Sequence, residues 1–332
     1  MITNAPKSHK KKSAAFLSAL AWLFRRRGFT VVSFPMVIFH DPRCADFGSS
    51  LRPEQPARVT RSAAHLRLAH PEWVWRVPAV ATATDSLLLL AHASSHLQRL
   101  GVAGDFDADT PYFAGIGDHA RRSVAAAVEA AHYALTSRTR EPVFSLMRPP
   151  GHHATISRAM GFCYLNQIAI AAVAAQQRLG AQRVAVWDFD AHHGNGTEVI
   201  LQGRDDLFFA SVHQYPGYPG TGTKDIPPNV RNWPVAPHAP RAEHMKALRA
   251  SLDAVVAFAP DLILVSAGFD AYAHDPITAM TLEREDFATL GTWLRETSRP
   301  AAAILEGGYH EDLPLLIDTF LSAWNNPVLL AA

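Results

Sequence analysis

A chain of 332 residues, 48% hydrophobic and 18% charged, is long enough for one large α/β domain and too apolar for a disordered or filamentous protein. The formal net charge is +1, but residues 1–35 hold Lys7, Lys10, Lys11, Lys12, Arg25, Arg26 and Arg27 with no acid, so the remaining chain carries 24 basic against 30 acidic groups, about −6. An acidic body excludes a nucleic-acid groove, which needs a concentrated basic surface, and two cysteines, Cys44 and Cys163, are too few for a disulfide framework and point to a reducing cytoplasm.

The first feature along the chain is an apolar stretch, Ala14 to Phe24, set between Lys10–Lys12 and Arg25–Arg27. At about 11 residues it is well short of the ~20 that span a bilayer, and arginines stand where a small-residue cleavage site would be. Residues 1–35 therefore read as a basic N-terminal extension, peripheral or partly disordered. That reading is preferred to a weak membrane contact, which the basic flanks and Trp22 would also suit. The main domain is placed at residues 36–332.

Beyond Met36, short β-branched or aromatic runs alternate with alanine-rich stretches, the pattern of parallel strands joined by helices. Strands are predicted at Val37–His40, Val143–Met147, Val184–Phe189, Leu207–Val212, Leu262–Ser266 and Ala302–Leu305. Helices are predicted at Ser123–Leu135, Asn166–Leu179, Ala242–Phe258 and Arg284–Thr297, where apolar residues recur at helical spacing. Near-continuous apolar strands imply a sheet covered on both faces, hence an α/β fold, a three-layer α/β/α sandwich with a mainly parallel sheet. Gly115-Ile116-Gly117 approximates a dinucleotide fingerprint but follows no strand, and reads as a helix start.

Nearly every predicted strand runs straight into a polar cluster: His152-His153, Asp188 through Asn195, Ser211-Val212-His213, Asp270, and Glu306 through Tyr309. In open parallel sheets the ligand crevice lies beyond the carboxyl ends of the strands, so these clusters should converge. Acidic oxygens with imidazole nitrogens bind a divalent cation, and adjacent histidines move protons for a water beside it, so the composition is that of a metal-dependent hydrolase. Each piece alone has a plainer reading. A His-His pair is often a turn, Asp-x-Asp after a strand is often a capping loop, and Tyr309 after Gly307-Gly308 could anchor a turn rather than ride on a loop that those glycines free.

Taken together and in order, Arg148–Ala154, Gly161–Asn166, Asp188–Gly196, Tyr218–Gly222, Ser266–Asp270 and Glu306–Tyr309 resemble the histone deacetylase superfamily, over nearly everything after residue 40. His213 through Pro216 before Tyr218, and Ser266–Asp270, are more similar to its class II and bacterial amidohydrolase branch, related to acetylpolyamine amidohydrolases. The resemblance implies the arginase-deacetylase fold, one zinc ion per chain, and hydrolysis of the amide of acetylated amines, either N-ε-acetyl-lysine in proteins or small acetylated amines. It implies Asp190, His192 and Asp270 as zinc ligands with an open position, where the pKa of water falls from about 15.7 to ~7. His153 would be the general base that later protonates the leaving amine, His152 paired with Asp188 an electrostatic partner, and Tyr309 a donor to the carbonyl oxygen.

The same resemblance implies further positions. Phe162 and Tyr218, with Gly161, match the walls of a narrow channel, Asp109 matches a rim aspartate that grips substrate backbone amides, and Arg58 lies near an internal acetate pocket. A structural potassium ion would take the Asp188 side chain, the Ser211 hydroxyl and the main-chain oxygens of Asp190, His192 and Val212. A second would take the carbonyls of Leu201, Arg204 and Leu207.

Departures from the family pattern matter for specificity. Asn195 stands where class I enzymes place an aspartate behind the second histidine, so His153 is expected to be less basic. Arg52-Pro53-Glu54 lacks the histidine often found before Pro-Glu, and Gly217 beside Tyr218 is expected to widen the mouth. Ile277 stands where a polyamine-selective relative has a glutamate. An aliphatic group there cannot attract a distal ammonium, which favours acyl-lysine or another uncharged-tail substrate over the alternative, acetylpolyamine hydrolysis. A binuclear manganese ureohydrolase would need further acids, and Asp270-Ala271-Tyr272 lacks the second aspartate. A non-catalytic acyl-lysine binder would have no use for Tyr309, His152 and His153. Homo-oligomerisation is left open by the sequence.

Overall fold

The computed structural model describes residues 29–32, 35–326 and 328–331, so the apolar stretch of the N-terminal extension lies outside the described residues. The last part of the extension, strand β1 (Phe29–Val32), pairs antiparallel with β10 (Val328–Ala331) near the other end of the chain. The main sheet contains β2 (Val37–Phe39), β3 (Val74–Arg76), β4 (Val143–Ser145), β5 (Val184–Asp188), β6 (Leu207–Gln214), β7 (Val230–Val235), β8 (Leu262–Ala267) and β9 (Ala301–Leu305). Their order is β3-β2-β4-β9-β8-β5-β6-β7, with every pairing parallel.

The central strands β5, β8 and β9 are buried along their whole length, which is why their sequences are continuous apolar runs rather than alternating ones. Helix α1 (Ala57–Ala69) precedes β3, and α2 (Ile116–Thr136) leads into β4. Next come α3 (Gln167–Arg178), α4 (Asn195–Leu201), α5 (Arg241–Ala257), α6 (Arg284–Glu296) and α7 (Leu313–Trp324). Helices α2 and α3 pack on each other, and the buried Ala125, Ala126, Ala127, Ala130 and Ala131 of α2 let it lie close to β4 and the alanines of β9. A second group joins α7 to α6 and α1, while α5 covers β5, β6 and β7. Helices thus cover the sheet on both sides, the expected α/β/α sandwich.

In the main sheet, the strands that escape the apolar-run criterion are the two edges, and the small β1–β10 pair is not predicted either. Val74–Arg76 is short and partly exposed, and Val230–Val235 carries Arg231, Asn232 and Pro234 on a strand that pairs on one side only. Helix α2 begins at Ile116, ahead of the predicted Ser123, directly after Gly115 with φ +77°, so the glycine pair does mark a helix start. Asn166 caps α3 by accepting from Ala169 N at 2.9 Å. No helix among the described residues is long and apolar enough to cross a membrane.

Three buried histidines are held neutral. Burial lowers His244 to about 4, and burial with nearby positive charge lowers His92 and His213 to about 3. His244, on α5, has no hydrogen-bond partner for either ring nitrogen. Below about pH 6.5 the unfolded chain protonates these rings and the folded chain does not, so their stabilisation is complete above that pH and is lost as pH falls toward 4. Replacing His244→Leu is expected to shrink the fall in Tm between about pH 7.5 and about pH 5. An undiminished fall would remove His244 as a source of acid sensitivity.

Candidate metal centre

Strands β5 and β8 lie side by side at the centre of the sheet, and their carboxyl ends carry the acids. Just past the end of β5, Phe189 turns into the core against Phe269 and Phe320, so that Asp188 and Asp190 on either side of it face the crevice. Asp190 is fixed by three backbone N–H groups: Oδ1 accepts from His192 N at 2.8 Å and Oδ2 from Gly307 N at 2.7 Å, while Asp190 N itself donates to Asp188 Oδ1 at 3.1 Å. Asp270, past the end of β8, accepts from Ala191 N at 2.8 Å. His192 then brings Nδ1 to 2.9 Å from Asp270 Oδ2 and 3.2 Å from Asp190 Oδ1.

Two glycines make this convergence possible. A Cβ on Gly268 would run into the Asp190 carboxylate, and a Cβ on Gly307 would run into that of Asp270. Gly307 is thus needed for room, whereas Gly308, at φ +111°, supplies the backbone turn that brings Tyr309 round.

One donor atom from each of Asp190, His192 and Asp270 lies within 4.8 Å of the others. Two carboxylate oxygens and an imidazole nitrogen on one focus fit a divalent transition metal ion. The electrostatics fit as well. Burial pushes Asp190 up, but the charge of His152 and the bonds from His192 overcome it and hold the carboxyl well below its ordinary range. Burial and the Asp190 charge push Asp270 up. His192, opposed by burial, is drawn up to about 10 by Asp270 and Asp190, a cluster that demands positive charge.

The two neighbouring histidines are tuned apart. His152 Nδ1 lies 3.1 Å from the buried Asp188 Oδ2, and Asp190 and Asp188 raise it to about 10 against the opposing effect of burial. His153, its ring centroid 4.0 Å from that of His152, has Nδ1 2.9 Å from the uncharged Oδ1 of Asn195. Burial, reinforced by the positive His152 and His192, holds His153 well below 6.5. The turn carrying both rings is gripped by Glu306, which accepts from Gly151 N at 2.7 Å and His152 N at 3.2 Å, and by the start of α4, whose Gly196 N donates to His152 O at 3.0 Å.

A cavity of about 270 Å³ opens above this floor. His153, His192 and Tyr309 line its inner end, Phe162 and Tyr218 its walls, and Arg52, Asp109 and Ile277 its rim. Gly161, at φ +56°, leaves no space for a side chain, since a Cβ would sit 2.6 Å from the His153 ring and 2.9 Å from Tyr218. Phe162 itself is held at φ +67°, a strained conformation for a bulky residue, with its N–H donated to Thr110 Oγ1 at 3.1 Å. Gly217 is likewise dictated by its turn, where a Cβ would lie 2.7 Å from Gln214 O.

Tyr309 is supported from two sides. Its N–H donates to Asp275 Oδ2 at 2.7 Å, and the Arg58 guanidinium lies 4.7 Å over its ring while donating to Gly308 O at 2.8 Å. Arg58 and Tyr309 together line a second cavity of about 120 Å³. Burial keeps the Tyr309 phenol well above its ordinary pKa and therefore protonated.

Several of these supports were not among the residues singled out from the sequence. Asp275 is a buried acid raised to about 7 by burial and by Asp270, but it sits before Pro276 like any turn residue. Arg148, fully buried and paired with Glu54 (Nη2 to Oε2, 2.5 Å), also gave no signal beyond its place in a motif.

The two oxygen sets expected to hold monovalent cations have different surroundings. Ser211 on β6 stands opposite Asp188 in register, and its Oγ lies 2.9 Å from the neutral His213, which leaves oxygen lone pairs beside Asp188 and Val212. At the outer set, Asn229 Nδ2 donates to Leu201 O at 2.7 Å and to Leu207 O at 3.0 Å, and Leu207 N donates to Arg204 O at 3.2 Å. Two of the expected carbonyls, those of Leu201 and Leu207, thus already accept a hydrogen bond from the Asn229 amide.

Comparison with known proteins agrees with this geometry. Residues 52–321 match the family described as the histone deacetylase domain. An uncharacterized protein of Synechocystis sp. is 40% identical over 78% of this chain and 88% of its own length. The histone deacetylase-like amidohydrolase of Pseudomonas aeruginosa is 37% identical over 69% of this chain and 65% of its own. The crystal structure of acetylpolyamine aminohydrolase from Burkholderia pseudomallei superposes with a TM-score of 0.78 at 25% identity, covering 88% of this chain and 98% of that one. The fold, the converging donors and the matched span together place the chain in the histone deacetylase family.

Proposed function

We propose that the protein is a zinc-dependent deacylase that hydrolyses the amide of acetylated amines, N-ε-acetyl-lysine or a small acetylated amine. The observation that carries this reading is the meeting of Asp190, His192 and Asp270 at the inner end of a cavity that His153 and Tyr309 also line. A divalent ion held by the three donors supplies Lewis-acid polarisation of the amide carbonyl and makes water more acidic.

The remaining work falls to the protein's own side chains. Phe162 and Tyr218 hold an aliphatic stem between their rings and exclude water from the amide. His153, neutral at pH 7, takes a proton from the attacking water on Nε2, because Nδ1 is engaged by Asn195, and returns it to the departing amine nitrogen. His152, protonated and paired with Asp188, places positive charge beside the site and deters His153 from protonating too early. Tyr309 donates its hydroxyl hydrogen to the carbonyl oxygen as negative charge develops there. The oxygen set around Asp188, Ser211 and Val212 would hold a monovalent cation behind the same strand ends.

Acetylpolyamines are the competing substrate class, favoured by the name of the Burkholderia relative. Ile277 on the rim gives a distal ammonium nothing to pair with, which supports acyl-lysine instead.

Two outcomes test the roles. Tyr309→Phe is expected to keep its metal content and lose ~10²–10³ in kcat on an acetyl-lysine peptide, and equal activity would eliminate the hydroxyl's role. Asn195→Asp places a carboxylate 2.9 Å from the His153 ring and raises its pKa. Since the base works only when deprotonated, the acid limb of the kcat/KM profile should move up by about one pH unit or more, and an unmoved limb would exclude His153 as the base.

A further inference from the structure

The rim of the cavity carries a cation whose charge nothing in the fold uses. Arg52 lines the same cavity as His153, His192 and Tyr309, yet among the described residues its only side-chain hydrogen bond runs from Nη1 to the main-chain oxygen of Ala108 at 3.2 Å. It forms no ion pair among the described residues, in contrast to Arg58 and Arg148, which share the buried Glu54. Most of its N–H donors are therefore free and arranged as a planar fork suited to a carboxylate. Next to Ala108, Asp109 uses its N–H on Asp107 Oδ1 at 3.0 Å and leaves its own carboxylate without a side-chain partner among the described residues, and Ile277 offers only an aliphatic surface.

One cation and one anion at the mouth of an acyl-lysine-sized cavity discriminate between substrate tails. A polyamine tail brings only positive charge, so it can use Asp109 but meets Arg52 as a repulsive neighbour. An acyl-lysine brings an α-nitrogen and an α-carbonyl group on one carbon, and when that residue is free or C-terminal the carbonyl group is a carboxylate.

We propose that Arg52 forms a carboxylate subsite at the cavity mouth, so that the preferred substrate is an N-ε-acyl-lysine bearing a free α-carboxylate, with its α-nitrogen toward Asp109. The inference rests on the deacylase reading and names its substrate class. The subsite is open to solvent, so its effect is screened by salt. A charge-assisted, two-pronged contact at such a site should favour the carboxylate roughly tenfold.

The test compares two peptides ending in N-ε-acetyl-lysine, one with a free carboxyl terminus and one amidated, together with internal acetyl-lysine peptides followed by Glu or Gln. Hydrolysis is measured as kcat/KM, and binding as Kd by calorimetry, for the zinc-loaded protein. Wild type should prefer the free acid roughly tenfold, mainly through KM, and the preference should weaken in high salt. Arg52→Gln should bring the ratio to about one, Arg52→Lys should keep part of it, and Arg52→Glu should reverse it. Equal use of acid and amide by wild type, or a preference that survives Arg52→Gln, overturns the subsite. A preference confined to the Glu-containing peptide overturns the assignment to the α-carboxylate. If no peptide is hydrolysed, the deacylase reading fails on its own, and the ratio of Kd values between wild type and Arg52→Gln still decides whether Arg52 binds a carboxylate.

Discussion

The structure turns on the burial of like charges at one spot. Asp188, Asp190, Asp270 and Glu306 are all at most 1% exposed, and all stand at the carboxyl ends of adjacent strands. Two unit charges ~4 Å apart interact by ~4 kcal/mol even at an effective dielectric constant of ~20, so such a cluster survives only with compensation. Part of it comes from backbone N–H groups, those of Ala191, His192 and Gly307 on Asp270 and Asp190 and those of Gly151 and His152 on Glu306. The rest is positive charge, drawn onto His152 and His192; in the proposed enzyme a divalent cation held by Asp190, His192 and Asp270 would take the place of the proton on His192.

The same constraint explains why the fold is parallel. A parallel sheet directs every strand's carboxyl end to one edge, so loops far apart in sequence meet without long excursions. Asp190 and His192 follow β5, Asp270 follows its neighbour β8, Glu306 to Tyr309 follow β9, and the two histidines follow β4. The order in which the chain lays down β8 and β9 between β4 and β5 is what closes the ring of loops. Close packing then sets the distances, since Gly161, Gly268 and Gly307 each stand where a side chain would displace a functional group.

How much of this is legible in the sequence depends on whether a residue's role has a local signature. Val184–Asp188 and Leu262–Ala267 are legible because burial on both faces forces uninterrupted apolar runs, and the polar residues just beyond them are legible as ligands because nothing in the core calls for them. Edge strands carry no such run, and Val230–Val235 with its arginine and proline looks like a loop until its one partner, β6, is seen. Supporting groups are harder still. Asp275 and Glu306 act by gripping backbone N–H groups across the fold, at separations of 34 and 155 residues, and no local spacing encodes that. The hydrogen bonds from Asn229 to the carbonyls of Leu201 and Leu207 come from another part of the chain and are equally without a local signature.

Metal stoichiometry is the most direct measure of whether Asp190, His192 and Asp270 form one cation site. Elemental analysis of the protein after zinc loading and exhaustive dialysis should give about one zinc per chain, falling to near zero in Asp190→Asn and Asp270→Asn variants that keep their far-ultraviolet circular dichroism. A wild-type protein that retains no divalent ion, or folded variants that retain as much as wild type, would contradict a metal centre at the meeting point of β5 and β8.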